Sequence, residues 1–154
     1  MTTPKDPAYV AAQTSVVIGT AITDQPLDKL VADAVATTTT RAMGALVRFD
    51  GIVRDHDGGA EVADLTYEAH PTAAAELERV VGEIVATTPV RAFAAHRTGP
   101  VPIGELAFVV LVASAHRREA FAACAEIADR VKAEVPIWKE QGMADGTTQW
   151  VGIE

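Results

Sequence analysis

Three groups of residues in this chain carry side chains able to hold or transform an anion. Lys132 stands four residues after Ala128 and eight after Cys124, which puts it on or beside the buried stripe of a helix, in that helix's last turn. There it either complements the helix C-terminus, worth a few tenths to about 1 kcal/mol, or presents an amine to a pocket. Lys139 follows Pro136-Ile137-Trp138, where the indole can fix the backbone and leave the amine near the end of the same helix. Two lysines on either side of a proline break can converge on one anion. A partly desolvated lysine can also act as a general base, or as an amine that meets an acyl group. Arg54 ends a strand just before a Gly-Gly turn, and its planar guanidinium suits bidentate capture of a phosphate or carboxylate; the plainer reading is a solvated arginine at a hairpin end. Ser114-Ala115-His116-Arg117 lies where a strand gives way to a helix, and exposed N–H groups with the helix dipole suit an anion there. The plainer alternative makes Ser114 a cap and leaves His116 and Arg117 facing solvent. Physics alone stops at an anion pocket.

The elements that must position these groups are read from periodicity. Residues 1–14 show no period and read as a flexible N-terminal arm, with 15–154 as one domain. Residues 15–22 (SVVIGTAI) are β-branched and predict a strand; a helix follows, capped by Thr23 or Asp24, on the stripe Leu27, Leu30, Val31, Ala34, Val35. Residues 43–54 predict a second strand, with Gly44 and Gly51 marking a bulge or a close backbone approach. Asp55-His56-Asp57-Gly58-Gly59 is a turn, and residues 62–69 read as the return strand of that hairpin. A helix after Pro71-Thr72 buries Ala73, Leu77, Val80, Val81, Ile84 and Val85. Residues 90–95 and 106–113 form the next two strands, the second apolar enough to be covered on both faces. A third helix after Ser114 carries the stripe Phe121, Cys124, Ile127, Ala128, Val131 and stops at Pro136; a short strand over 149–153 ends the chain. The order describes an α+β sandwich with a mostly antiparallel sheet and about three helices.

Composition excludes several classes. With 154 residues, 49% hydrophobic, the chain closes one core and no second. No apolar run approaches the roughly 20 residues of a membrane span, and the N-terminus lacks the basic-then-apolar pattern of a secretory signal, so a cytoplasmic protein is expected. A formal net charge of -8 is the wrong sign for a nucleic-acid binder, although Arg117, Arg118, Arg130, Lys132 and Lys139 cluster in the C-terminal third. The single cysteine, Cys124, fits a reducing compartment and cannot build a thiolate metal site. Phosphate-loop, His-Glu-x-x-His and Gly-x-Ser-x-Gly motifs are absent, and the four histidines lack ligand spacing.

Taken in order, Phe49-x-Gly51-x-Val53-Arg54, Leu65-x-Tyr67-Glu68, His96-Arg97-x-Gly99, Ile103-Gly104-Glu105, Ser114-x-His116-Arg117, Pro136-Ile137-Trp138-Lys139 and Trp150-Val151-Gly152 resemble the MoaE family, the large catalytic subunits of molybdopterin synthases. The resemblance implies an α/β hammerhead fold and a homodimer of large subunits. A small MoaD-like sulfur carrier, ubiquitin-like and ending in a Gly-Gly thiocarboxylate, would bind at each end to give a heterotetramer. It implies sulfur transfer onto cyclic pyranopterin monophosphate to form the dithiolene of molybdopterin, with no metal or redox cofactor. It makes Lys132 and Lys139 the catalytic pair, Arg54 a substrate-holding arginine, His116 and Arg117 a pterin and phosphate pair completed by the neighbouring large subunit, and Phe49 a pocket-lining aromatic. One departure stands out: the family often follows Trp-Lys with a basic residue and then Glu, whereas this chain has Glu140-Gln141. The alternative is a non-catalytic dimeric α+β module that binds a small anion or a ubiquitin-like tail.

Overall fold

The computed structural model describes residues 7–152. Helix α1 (Pro7–Ala11) leads into strand β1 (Val16–Thr23), helix α2 (Asp28–Thr38) and strand β2 (Ala45–Ile52). Strands β3 (His56–Asp57) and β4 (Ala60–Ala69), helix α3 (Ala73–Thr87), and strands β5 (Val90–Arg97), β6 (Gly99–Pro100) and β7 (Leu106–Ser114) follow. Helix α4 (Arg117–Glu134) and strands β8 (Ile137–Met143) and β9 (Thr148–Val151) complete the described residues. One sheet runs β1-β5-β7-β2, with only β1 and β5 parallel; the other runs β3-β4-β8-β9, with β6 beside β4. The α+β class with mostly antiparallel sheets therefore holds, with four helices among the described residues in place of about three.

Strands β5 and β7 are buried on both faces because each face has its own helical cover, and their alternation splits the core cleanly. Val90, Ala92, Ala94, Val110 and Val112 meet α3 and α4; Phe93, Ala95, Val109 and Leu111 meet α2. All six apolar residues expected on the α3 stripe are buried. Each contributes roughly 1.5–3 kcal/mol relative to exposure for the larger side chains. A smaller cluster of Val53, Leu65, Val101 and Ala107, with Tyr67 against it, forms a separate patch of core.

Several expectations are corrected. The segments at 43–54 and 62–69 are not one hairpin: β2 pairs with β7 in the first sheet, while β4 pairs with β3, β6 and β8. The turn is real, but it closes β3 onto β4. Gly58 and Gly59 sit at φ 57° and 80°, the left-handed pair that a two-residue hairpin turn demands, so Asp57 pairs directly with Ala60. Helix α2 has Leu27 at its N-cap and no side-chain cap; the Thr23 hydroxyl instead accepts the Gln25 N–H. At α4 the N-cap is His116, and buried Ser114 donates to the Pro89 carbonyl. The α4 stripe is Ala120, Ala123, Cys124, Ile127 and Val131, with Phe121 59% exposed. The segment after Pro136 is strand β8, for which no strand was expected.

Within the N-terminal arm, residues 7–11 are helical, and residues 1–6 lie outside the described part. Arg91 ties that segment down: its guanidinium donates to the Gln13 carbonyl and to Thr37 and Thr38 at the open end of α2. The final strand covers 148–151, so Ile153 of the expected 149–153 also lies outside.

Candidate active site

A cleft of about 440 Å³ opens between the C-terminal half of α4, strand β8 and the ends of β2, β5 and β7. Sequence dictates its shape at Gly51. A Cβ there would sit 3.2 Å from Phe108 Cβ, and the β2–β7 register slips between Gly51 and Ile52. The glycine lets the two strands close while the slip turns the end of β2. Gly44 plays the companion role at the other end, where a Cβ would meet the Ala115 carbonyl oxygen at 2.5 Å.

One wall of the cleft is a run of rings. Phe49 meets Phe108 edge-on at 5.8 Å, Phe108 stacks on His96 at 5.4 Å, and Tyr67 meets His96 edge-on at 4.8 Å. His96 is only 8% exposed, and its Nδ1 lies 2.8 Å from the Arg97 carbonyl oxygen. A carbonyl can only accept, so Nδ1 carries the proton and Nε2 is left with a lone pair. Burial pushes this histidine down to about 4, and it adds no charge at neutral pH. Burial likewise pushes the Tyr67 hydroxyl above its ordinary value.

The positive charge comes from Lys132 on α4 and Lys139 on β8, which line the same cleft. Lys132 is exposed at the helix's last turn; Lys139 is half-buried beside Tyr67, its register partner on β4. Desolvation lowers the Lys139 ammonium from its ordinary value, Asp57 pulls it back up, and Arg54 and Lys132 lower it further. Arg54 is outside the lining of the cleft and close enough to lower the Lys139 pKa, with Nη2 3.2 Å from Asp57 Oδ1. Phe49, 39% exposed, also lines the cleft. His116 and Arg117 are not brought to it: they lie on the surface with Arg118 and Phe121 at the opposite end of α4. The 15 residues from Arg117 to Lys132 span about 22 Å of helix.

Sequence reasoning gave no site role to Asp57, Gln141, Tyr67, His96 and Phe108. For Asp57 and Gln141 a signal existed. Ile137, Lys139, Gln141 and Met143 share one face of β8, and the Asp-Gly-Gly turn brings Asp57 to it. Gln141, 2% exposed, donates through Nε2 to Asp57 Oδ2 at 2.8 Å. Among the described residues, no three His, Cys, Asp or Glu side chains are grouped to hold a metal, and no helix is long and apolar enough to cross a membrane.

A two-sheet α+β chain whose open cleft sets two primary amines beside a wall of rings has the form of a site for a flat anion. Comparison with known proteins narrows the class. The family model "MoaE protein" matches residues 22–134. The molybdopterin synthase catalytic subunit of Pyrococcus abyssi is 40% identical over 124 residues, covering 79% of this chain and 84% of that one. Catalytic subunit 1 of Mycobacterium tuberculosis is 39% identical, covering 85% and 88%. The crystal structure of molybdopterin synthase from Staphylococcus aureus superposes with a TM-score of 0.78 at 32% identity, covering 85% and 95%. The chain belongs to the MoaE family.

Proposed function

We propose that this chain is the catalytic subunit of a molybdopterin synthase. It would transfer sulfur from the C-terminal thiocarboxylate of a small ubiquitin-like partner to cyclic pyranopterin monophosphate, in molybdenum cofactor biosynthesis. The observation that carries this reading is the convergence of Lys132 and Lys139, from different elements, on one ring-walled cleft. The rings match the flat face of a pterin, and the amines match its phosphate and the incoming thiocarboxylate.

Lys132, exposed at the mouth, is the acid/base or amine group nearest the carbonyl carbon of the thiocarboxylate. Lys139, whose ammonium burial makes easier to deprotonate, anchors the substrate and moves the proton at the departing oxygen. Arg54 helps to hold the substrate, and Phe49 supports its flat face. His116 and Arg117 serve the pocket of the neighbouring large subunit, since about 22 Å of helix keeps them from their own. The working form is then a dimer of these chains with a small subunit at each end, placed in the cytoplasm.

The test mixes the chain with thiocarboxylated small subunit and cyclic pyranopterin monophosphate, then oxidises the dithiolene product to its fluorescent derivative. Product is expected only with all three components. Lys132→Ala is expected to lose about 10²–10⁴-fold in rate while still binding the partner. Full activity in that variant refutes the assignment of Lys132. A stable complex with the small subunit but no product favours the non-catalytic module. A mixed dimer carrying His116→Ala in one chain and Lys132→Ala in the other should regain one working site, and no recovery would mean that each pocket is built from a single chain.

A further inference from the structure

We propose that Asp57 is the positioning residue of the cleft, a carboxylate clamped between the Gln141 amide and the Arg54 guanidinium that serves as the fixed counter-charge to Lys139. The inference rests on the sulfur-transfer reading only for what the cleft is used for; the placement of the charge stands apart from it.

Three features of the fold converge on this carboxylate. The Gly58-Gly59 turn fixes Asp57 at the end of β3, opposite Ala60, so its backbone has little freedom. Its two oxygens are divided between two partners: Oδ2 accepts from Gln141 Nε2 at 2.8 Å and Oδ1 from Arg54 Nη2 at 3.2 Å. Gln141 is itself buried and lies two residues from Lys139 on β8, on the same face of that strand. An amide so placed cannot swing away, and it holds the carboxylate beside the lysine. The same contacts keep Asp57 ionised, since the Gln141 hydrogen bond and the nearby Lys139 and Arg54 charges all lower its pKa.

Lys139 faces a crowd of titratable groups: Lys132 and Asp129 from α4, Tyr67 from β4, His96 from β5, Arg54 after β2 and Asp57 from β3. His96 is neutral and Tyr67 is held protonated by burial, so neither offsets the three cations. Asp57 is the anion felt by the Lys139 ammonium against the effects of Arg54 and Lys132. Gln141 on β8 is a neutral amide, and the carboxylate it is hydrogen-bonded to stands on β3.

The test is an exchange of charge between the two positions. Asp57→Asn keeps an oxygen to accept from Gln141 and removes the charge; Asp57→Asn with Gln141→Glu puts the charge on β8. Lys139 reactivity toward acetic anhydride is followed across pH by peptide mass spectrometry, with Lys132 as the internal reference. In Asp57→Asn the Lys139 titration moves to lower pH, raising its labelling rate near neutrality about threefold, the effect of losing an opposite charge a few ångströms away in a water-like medium. The exchanged double variant returns it toward wild type. An unmoved titration in folded Asp57→Asn overturns the proposal, as does a shift that the folded double variant leaves unrepaired. In the three-component assay the single variant's pH–rate profile moves in the same direction. A wild-type chain inactive in that assay would refute the sulfur-transfer reading, while the labelling would still decide the role of Asp57.

Discussion

Acidification from pH 7.5 to 5.5 should weaken this fold chiefly through one buried ring. His96 has an ordinary value of 6.5 when unfolded, and burial pushes it down to about 4 in the folded chain. Between those values the unfolded chain holds a proton that the folded chain refuses, so stability falls as pH falls through the window and is fully present above it. Over the interval from 7.5 to 5.5 the loss is about 1 kcal/mol. The carboxylates that gain hydrogen-bonded or charged partners do not blur the window. Glu134 is held at about 2 by Arg130, and Asp57 lies below its ordinary 3.8, so both stay ionised throughout. The interval also stays above the pI near 4.9, where a neutral chain would associate. Urea unfolding followed by tryptophan fluorescence reads the effect as a drop in midpoint at constant slope against urea. In His96→Phe, which retains a ring between Tyr67 and Phe108, the midpoint should be flat over the same interval. A flat wild-type midpoint, or a variant that keeps the wild-type slope with pH, would refute the argument that this histidine is buried neutral.

Two further outcomes follow from the geometry. Gly59→Val places a β-branched residue at φ 80°, which should cost on the order of 1–2 kcal/mol and lower the melting temperature. Because that turn also holds Asp57, substrate KM should rise with it. Leu77→Ala removes a fully buried side chain from α3 and should destabilise by about 2–5 kcal/mol in thermal or urea unfolding. Leu77 lies outside the cleft lining, so KM measured below the melting transition should stay unchanged; a changed KM would show that the helical layer and the cleft are coupled.

What could be read from the sequence was whatever a single segment settles by itself. The α3 stripe is legible because six apolar residues recur at helical spacing and nothing remote competes for them. Gly44 and Gly51 were legible as close approaches, since a Cβ at either would press on the neighbouring backbone or Phe108. Pairing across the chain was not legible. The composition of 55–59 announces a turn but cannot say that β2 has already left for the other sheet, because that choice is made by β7, more than fifty residues downstream. Strand β8 was hidden by its polarity: its inward face reads Ile137, Lys139, Gln141, Met143, so the alternation that marks a strand is broken by the residues that line the cleft or lock Asp57. Lys132 and Lys139 stood out as isolated amines beside a proline break. Asp57 did not, because an aspartate before two glycines is explained by its turn alone. Phe121 misled in the other direction, since an aromatic at helical spacing implies core, yet here it projects from the surface at the head of α4.

The one cysteine has a bearing on how sulfur moves. Cys124 sits in α4, two turns before Lys132, but it points into the layer shared with α3, and burial pushes its thiol up to about 11. A thiol held protonated and out of reach does not attack a thioester or a thiocarboxylate. A sulfur atom crossing the cleft therefore meets amines and no rival sulfur nucleophile among the described residues, and the folded chain cannot trap the partner's acyl group as a thioester on its own cysteine. The same seclusion turns Cys124 into a clock. A thiol reagent added to the native protein should report, by its rate of reaction, how often the α3–α4 layer opens.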